Sequence, residues 1–158
     1  MLDSLDLALL NAMQRNAAQT AEQLVRSIPL SPSAIARRLR ALRSRRWIDR
    51  TVALLSPHLT ERRLRAMILV QLNEHADQRG KAALLKRIVE APQAQFCYEL
   101  AGTHDLLLVF SCADMAEFNA VAEGVLTADA TVRRFETSII KREVKFEPFV
   151  RLDPNCFS

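Results

Sequence analysis

Between Arg37 and Arg50 the sequence places seven arginines against a single acid, Asp49, and sets them on an apolar repeat of helical spacing. That combination admits few structures. Ile35, Leu39 and Leu42 recur every three or four residues and Arg46 continues the series, which puts them on one side of a helix. Ser33, Arg37, Arg40 and Ser44 share the opposite side, flanked by Arg38, Arg43 and Arg45. Ser31 suits the cap, and Pro32 suits the first helical position, where its missing N–H has no partner to lose. Leu30 and Ile35 stand where a hydrophobic staple would. One face can enter a core while the other presents guanidinium groups that the neighbouring sequence cannot neutralise. Arginine throughout, with no lysine, favours forked contacts with phosphates and guanine edges, so the segment reads as a DNA-recognition helix. The plain alternative is a solvated basic helix, and the clean apolar face and well-specified start argue against it.

The residues before it supply a frame. Asp3 and Asp6 have the spacing of a reciprocal helix cap, Leu2 and Leu7 that of a staple, and Leu5, Leu9 and Met13 form an apolar stripe. A second capping box follows at Thr20 and Gln23, with Ala21, Leu24, Val25 and Ile28 as a short apolar face that stops at Pro29. Two helices, a tight turn and a third, basic helix are the sequence form of a helix-turn-helix. Trp47 to Ser56, with Ile48, Val52 and Leu54 apolar, predicts a strand and hence a wing carrying Arg50. The residues expected to meet double-stranded DNA are Ser31, Ser33, Arg37, Arg38, Arg40, Arg43, Ser44 and Arg50. Arg37 and Arg40 would read bases, and Arg38, Arg43 and Arg50 would hold phosphates.

Charge separates this segment from the rest. Residues 1–60 carry a net +5 and residues 61–158 a net −1, so the +4 of the whole chain belongs to the N-terminal third. A nucleic-acid-binding module joined to a near-neutral module is the expected layout. Cys97, Cys112 and Cys156 are odd in number and lack metal-type spacing, which predicts reduced thiols and a cytoplasmic protein, with Cys97 and Cys112 in a core. No apolar run reaches the length of a membrane span, and the N-terminus does not read as a signal peptide.

Ser56 to Arg63 breaks the periodicity and reads as a linker. Past it, strands are expected over Ala66–Asn73, Ala94–Ala101, Leu106–Cys112 and Thr131–Lys145. A helix over Asp77–Ala91 should turn Leu84, Leu85, Ile88 and Val89 inward. A second, capped by Asp114 with Glu117, should bury Phe118, Val121, Val125 and Leu126. The order βαββαβ is the ferredoxin-like split arrangement, so the fold class is α+β, with helices on one face of an antiparallel sheet. Met67, Leu69, Cys97, Leu107 and Val109 leave apolar surface for the sheet's two faces, which predicts a homodimer.

These pieces together resemble the Lrp/AsnC family, the feast/famine regulators, from Leu2 to about Val150. The resemblance rests on Leu2-Asp3-x-x-Asp6-x-x-Leu9-Leu10, Leu30-Ser31-Pro32, Arg38-Leu39-Arg40-x-Leu42 and Ile48 through Ala53-x-Leu55-x-Pro57. In the second domain it rests on Gly102-Thr103-His104-Asp105-Leu106-Leu107 and on Thr137 through Lys145. It implies a winged helix-turn-helix domain over 1–56, a linker over 57–64 and a ligand-sensing and oligomerisation domain over 65–158. It further implies dimers, octamers among the assemblies, and an effector that is an amino acid or related metabolite. The Gly102, Thr103, His104 and Asp105 turn is the expected effector site: glycine would let successive N–H groups point outward to a carboxylate, and Asp105 would fix the turn or meet an ammonium group. Pro29, Arg46 and Arg50 stand where the family has turn glycines, so the turn between the second and third helices should differ in detail.

A transcription regulator is the reading adopted. An architectural DNA-binding protein without an effector would share the layout, and the siroheme decarboxylases resemble the family in fold. No catalytic residue, metal ligand or cofactor is expected, because His58, His75 and His104 form no evident constellation. His58 and His75 read as solvated, and His104 as either exposed or facing a ligand.

Overall fold

The computed structural model describes residues 2–74 and 77–153. His75 and Cys156 lie outside them. The chain forms two compact units, Met1–Leu54 with Lys145–Ser158, and Leu55–Val144. The terminal segment, expected with the second domain, thus belongs to the first.

In the first unit α1 is Ser4–Arg15, α2 Ala21–Leu24 and α3 Pro32–Ser44. Both capping boxes form: the side chains of Asp3 and Asp6, and of Thr20 and Gln23, each take the other's backbone N–H. Ser31 caps α3 by accepting the Ala34 N–H at 3.3 Å. Leu9, Leu10 and Met13 of α1 pack with Leu24, Ile28, Ile35, Leu39 and Leu42 in one core. Each such large apolar side chain contributes roughly 1.5–3 kcal/mol by leaving water.

Arg46 does not continue the inner face of α3. It lies past the helix end with φ 58°, the left-handed region, while the Trp47 N–H reaches the Leu42 carbonyl and the Arg46 N–H that of Arg43, both at 3.0 Å. These two bonds make a Schellman cap, and Arg46 takes the conformation that glycine supplies most cheaply. The expected wing strand over Trp47–Ser56 is also absent. A strand exists only through its ladder, and among the described residues this segment pairs with none; Val52 and Leu54 are 66% and 65% exposed. The expected linker begins with a helical turn, α4, Pro57–Thr60.

In the second unit the sheet comprises β1 Leu64–Leu72, β2 Ala94–Glu99, β3 Leu106–Cys112 and β4 Val132–Ile139, all antiparallel neighbours in the order β2-β3-β1-β4. Two helices, α5 Gln78–Glu90 and α6 Met115–Ala122, complete the βαββαβ unit, and α6 runs on into a wider turn over Glu123–Thr127. Ala66, Ile68 and Val70 alternate with the opposite face of β1 and meet Leu106, Leu108, Phe110, Leu84, Ile88 and Leu126 in the core. Cys112 is buried and Cys97 packs at the edge, and burial pushes both thiols above their ordinary range. Val89, expected inward, is 79% exposed, because Leu84 and Ile88 already fill the strip of α5 that faces the sheet. β4 ends at Ile139, where its ladder with β1 ends at Ala66, and falls short of the expected Lys145. The face away from the helices shows Met67, Leu69, Leu107 and Val109 half-buried, and Phe96 stacked on Tyr98 at 6.2 Å.

Candidate functional site

Two clusters merit attention, one in each unit. On α3, Ser31, Ser33, Arg37, Arg40, Arg43 and Ser44 are exposed, as is Arg50 beyond it. Arg37, Arg40, Arg43 and Arg50 have no carboxylate partner among the described residues, so the helix carries uncompensated positive charge on its outer face. The serines are locally engaged: Ser31 and Ser33 hydroxyls lie 3.1 Å apart, and Ser44 donates to the Ala41 carbonyl at 3.0 Å. A convex row of guanidinium groups on a rigid, capped helix can enter a DNA groove and displace phosphate counterions.

Arg38 is placed differently. Expected among the phosphate contacts, it turns back toward α1, where its Nη1 donates to Asp3 Oδ2 and Asp6 Oδ1, both at 2.7 Å. The reason is rotational: residue 38 lies about 100° round the helix from residue 37, toward the buried side. The Asp6 N–H and then the Arg38 guanidinium hold the Asp3 carboxyl below its ordinary value, and the two carboxylates raise Arg38 further. The acids that cap α1 therefore also lock α3 to it. Spacing alone marks the acids as caps and the arginine as a phosphate contact; the ion pairs between them arise only from the packing of α1 against α3.

The second cluster lies at one end of the sheet, around Gly102, Thr103, His104 and Asp105. The Leu100 N–H closes the turn on the Asp105 carbonyl at 2.8 Å. Asp105 joins β1 twice: its N–H donates to the Val70 carbonyl, and its Oδ2 accepts the Leu72 N–H, each at 2.8 Å. Its carboxylate thus extends the β1–β3 ladder one rung past Leu106, which assigns it to fixing the turn. Gly102 does not have a left-handed backbone, and a Cβ there would meet nothing within 4 Å. The expected conformational need for glycine is therefore not met at this position.

Around the turn stand residues that the sequence reading passed over. Gln71 Nε2 donates to the Thr103 carbonyl at 2.6 Å, and its Oε1 accepts from Arg134 Nε at 2.7 Å. Arg134 Nη2 lies 3.7 Å from Glu136 Oε1. His104 Nε2 is 3.8 Å from the same oxygen, too far for a hydrogen bond, and this buried nitrogen has no other hydrogen-bond partner among the described residues. Register explains the grouping: Gln71 pairs with Arg134 and Leu69 with Glu136, so all lie on the sheet face away from the helices. The available signal was a strand with charges two residues apart. The arrangement offers a cation and an anion side by side above a partly apolar floor, which suits a small zwitterion. His58 lies on α4, 3.8 Å from Glu61. Among the described residues no group of three or more His, Cys, Asp or Glu could hold a metal ion, and no helix is long and apolar enough to cross a membrane.

Comparison with known proteins assigns each unit a counterpart. Residues 2–43 match the AsnC-type helix-turn-helix domain, and residues 65–149 match the Lrp/AsnC ligand binding domain. An HTH-type transcriptional regulator of Sinorhizobium fredii is 30% identical over 148 residues, 91% of this chain and 85% of that one. The leucine-responsive regulatory protein of Haemophilus influenzae is 30% identical over 155 residues, 96% of this chain and 90% of that one. Among solved structures, a Neisseria meningitidis transcriptional regulator in complex with L-Met superposes with a TM-score of 0.85 at 26% identity, over 100% of both chains.

Proposed function

The chain belongs to the Lrp/AsnC family, and from that premise we propose that it is a transcriptional regulator that binds DNA through α3 and responds to an amino acid held at the end of its sheet. The carrying observation is the uncompensated arginine face of α3 on a capped helix-turn-helix. Arg37 and Arg40 read base edges, and Arg43 and Arg50 hold phosphates, with Ser33 and Ser44 at the rim. Arg38 and Ser31 act through the fold: Arg38 orients the helix and Ser31 starts it.

The L-Met bound to the Neisseria relative supports an amino-acid effector. Here Arg134 would take the carboxylate and Glu136 the ammonium group, with His104 and the Thr103 carbonyl at the rim and Asp105 holding the turn. The apolar sheet face suits a second copy, and a two-fold pair would place recognition helices on half-sites about 10 base pairs apart or a multiple of that. Octamers would be multiples of the pair. Regulation of this kind works in the cytoplasm, by occupancy of DNA and without catalysis.

The test combines DNA binding with a thermal-shift screen of the twenty amino acids, since a ligand of the native state raises its melting temperature. Arg37→Ala should lose about 1–3 kcal/mol at the preferred site and little on random DNA, whereas Arg43→Ala should weaken both and lower the salt slope by about one. Arg134→Ala should keep DNA binding and lose the ligand-induced shift. Equal losses for the two α3 variants on both DNAs would overturn the readout assignment. A full shift in Arg134→Ala would move the effector elsewhere, and tight DNA binding with no amino-acid response would leave an architectural protein.

A further inference from the structure

Residues 145–153 contain no helix or strand, yet they belong to the first unit and lie along α1. Asn11 and Gln14, three residues apart and hence neighbours on the α1 surface, each grip one tail residue twice. Asn11 Nδ2 donates to the Leu152 carbonyl at 2.8 Å and its Oδ1 accepts the Leu152 N–H at 2.9 Å. Gln14 makes the same pair with Val150, at 2.9 Å in both directions. Beside them the Arg15 guanidinium sits 5.8 Å from the Phe149 ring centroid, and Leu152 packs against the helical core. Two side-chain amides thus read the backbone of an extended segment as a neighbouring strand would.

Each end of this contact leads to a functional cluster. Upstream, the tail continues the chain that forms β4, which carries Arg134 and Glu136 beside the turn. The exit of that strand is held by the Ile140 N–H on the Arg65 carbonyl at 2.8 Å and by Glu143 on Arg65 Nη1 at 2.5 Å. Downstream, α1 is locked to α3 by Asp3, Asp6 and Arg38. We propose that residues 145–153 are a strap that couples β4 to the recognition helix, docked on α1 in one state and released in the other. The effector half of this proposal rests on the amino-acid reading above. The Gln14 bonds are exposed, the Asn11 bonds are part-buried and one tail side chain, Leu152, packs against the core, so release of the segment is a local opening and not an unfolding of the unit. A ligand that favours one of the two states can shift their populations.

Coupling of this kind is reciprocal, so DNA must act on the strap by the same factor as the strap acts on DNA affinity. Hydrogen exchange on the full chain reads this directly, with a mixed-sequence duplex of about four helical turns and with L-methionine as probes. In the parent protein the Val150 and Leu152 amides should exchange about tenfold more slowly than unbonded amides, and the duplex should change that protection. Asn11→Ala with Gln14→Ala should abolish the protection, shift duplex affinity at least about threefold, and still bind L-methionine without passing its effect to DNA. Val150→Pro, which removes one tail N–H and leaves α1 untouched, should move in the same direction. Absence of protection in the parent overturns the proposal, and so does loss of protection with duplex affinity within about 1.5-fold. If no amino acid shifts the parent's melting temperature, the effector reading fails while the duplex arm still decides the strap.

Discussion

Replacing Arg38 separates a helix brace from a DNA contact. Its Nη1 lies 2.7 Å from a carboxylate oxygen of each of Asp3 and Asp6, and the three side chains are 27%, 50% and 16% exposed. The half-exposed Asp3 pair belongs with surface ion pairs, worth about 0.2–1 kcal/mol. The Asp6 pair is more enclosed, approaching a charge-assisted hydrogen bond of about 1.5–3 kcal/mol, though short of the roughly 3–5 kcal/mol for breaking a fully buried pair. Arg38→Ala should therefore destabilise the first unit by about 1.5–2.5 kcal/mol, with about 1 kcal/mol or more appearing as coupling to Asp6.

Urea unfolding followed through Trp47, the single tryptophan, reports on the unit that contains the brace. A cycle of Arg38→Ala, Asp6→Ala and the double variant cancels the cap bond that Asp6 also makes to the Asp3 N–H, because both arms lose it. DNA binding adds the second readout. A brace leaves the salt slope where it was, whereas loss of a phosphate contact lowers it by about one unit, as expected for Arg43→Ala. Coupling below about 0.3 kcal/mol together with a reduced slope in Arg38→Ala would refute the brace and return the residue to the DNA face.

Arg46→Gly should raise the urea midpoint: relief of the left-handed φ contributes about 1–2 kcal/mol and the freer unfolded glycine offsets about 0.4–1 kcal/mol of it, so a lower midpoint would contradict the cap geometry. Acid should weaken the first unit through Asp3. Its carboxyl is lowered by the Asp6 N–H and Arg38 from an ordinary 3.8, so its stabilisation is present above that value and is lost as pH falls through the lower folded value. Asp3→Asn keeps a capping oxygen without that charge, and the parent's advantage over it in melting temperature should therefore shrink below about pH 3.8.

Legibility in this chain followed the range of the chemistry. Caps join residues three apart, so Asp3 with Asp6, Thr20 with Gln23, Ser31 and Asp114 announce helix starts in the sequence, and the structure has a helix at each. The βαββαβ order was equally readable, because periodicity two and periodicity near four are local properties. Trp47–Ser56 shows the limit of that method. Its composition suits a strand, yet a strand is a relation between two segments, and among the described residues none pairs with it.

The same distinction governs the site residues. Arg37 and Arg40 could be placed outward from spacing alone, but the partners of Arg38 lie 32 and 35 residues upstream, and no periodicity in α3 reports them. For Asp105 the sequence leaves two uses open, fixing the turn or meeting an ammonium group, and the Leu72 N–H that its carboxylate accepts lies 33 residues away. Arg134, Glu136 and Gln71 looked like ordinary solvated strand positions, because what gathers them is the β1–β4 register. Tail residues Val150 and Leu152 offer their backbone to Gln14 and Asn11, respectively, from 136 and 141 residues away, and a backbone group carries no signature in sequence at all. A single chain therefore reveals where charge must meet an external anion before it reveals which of its charges are already satisfied within. In α3 that difference separates Arg37 and Arg40, which are exposed and have no carboxylate partner among the described residues, from Arg38, whose guanidinium is already held by Asp3 and Asp6.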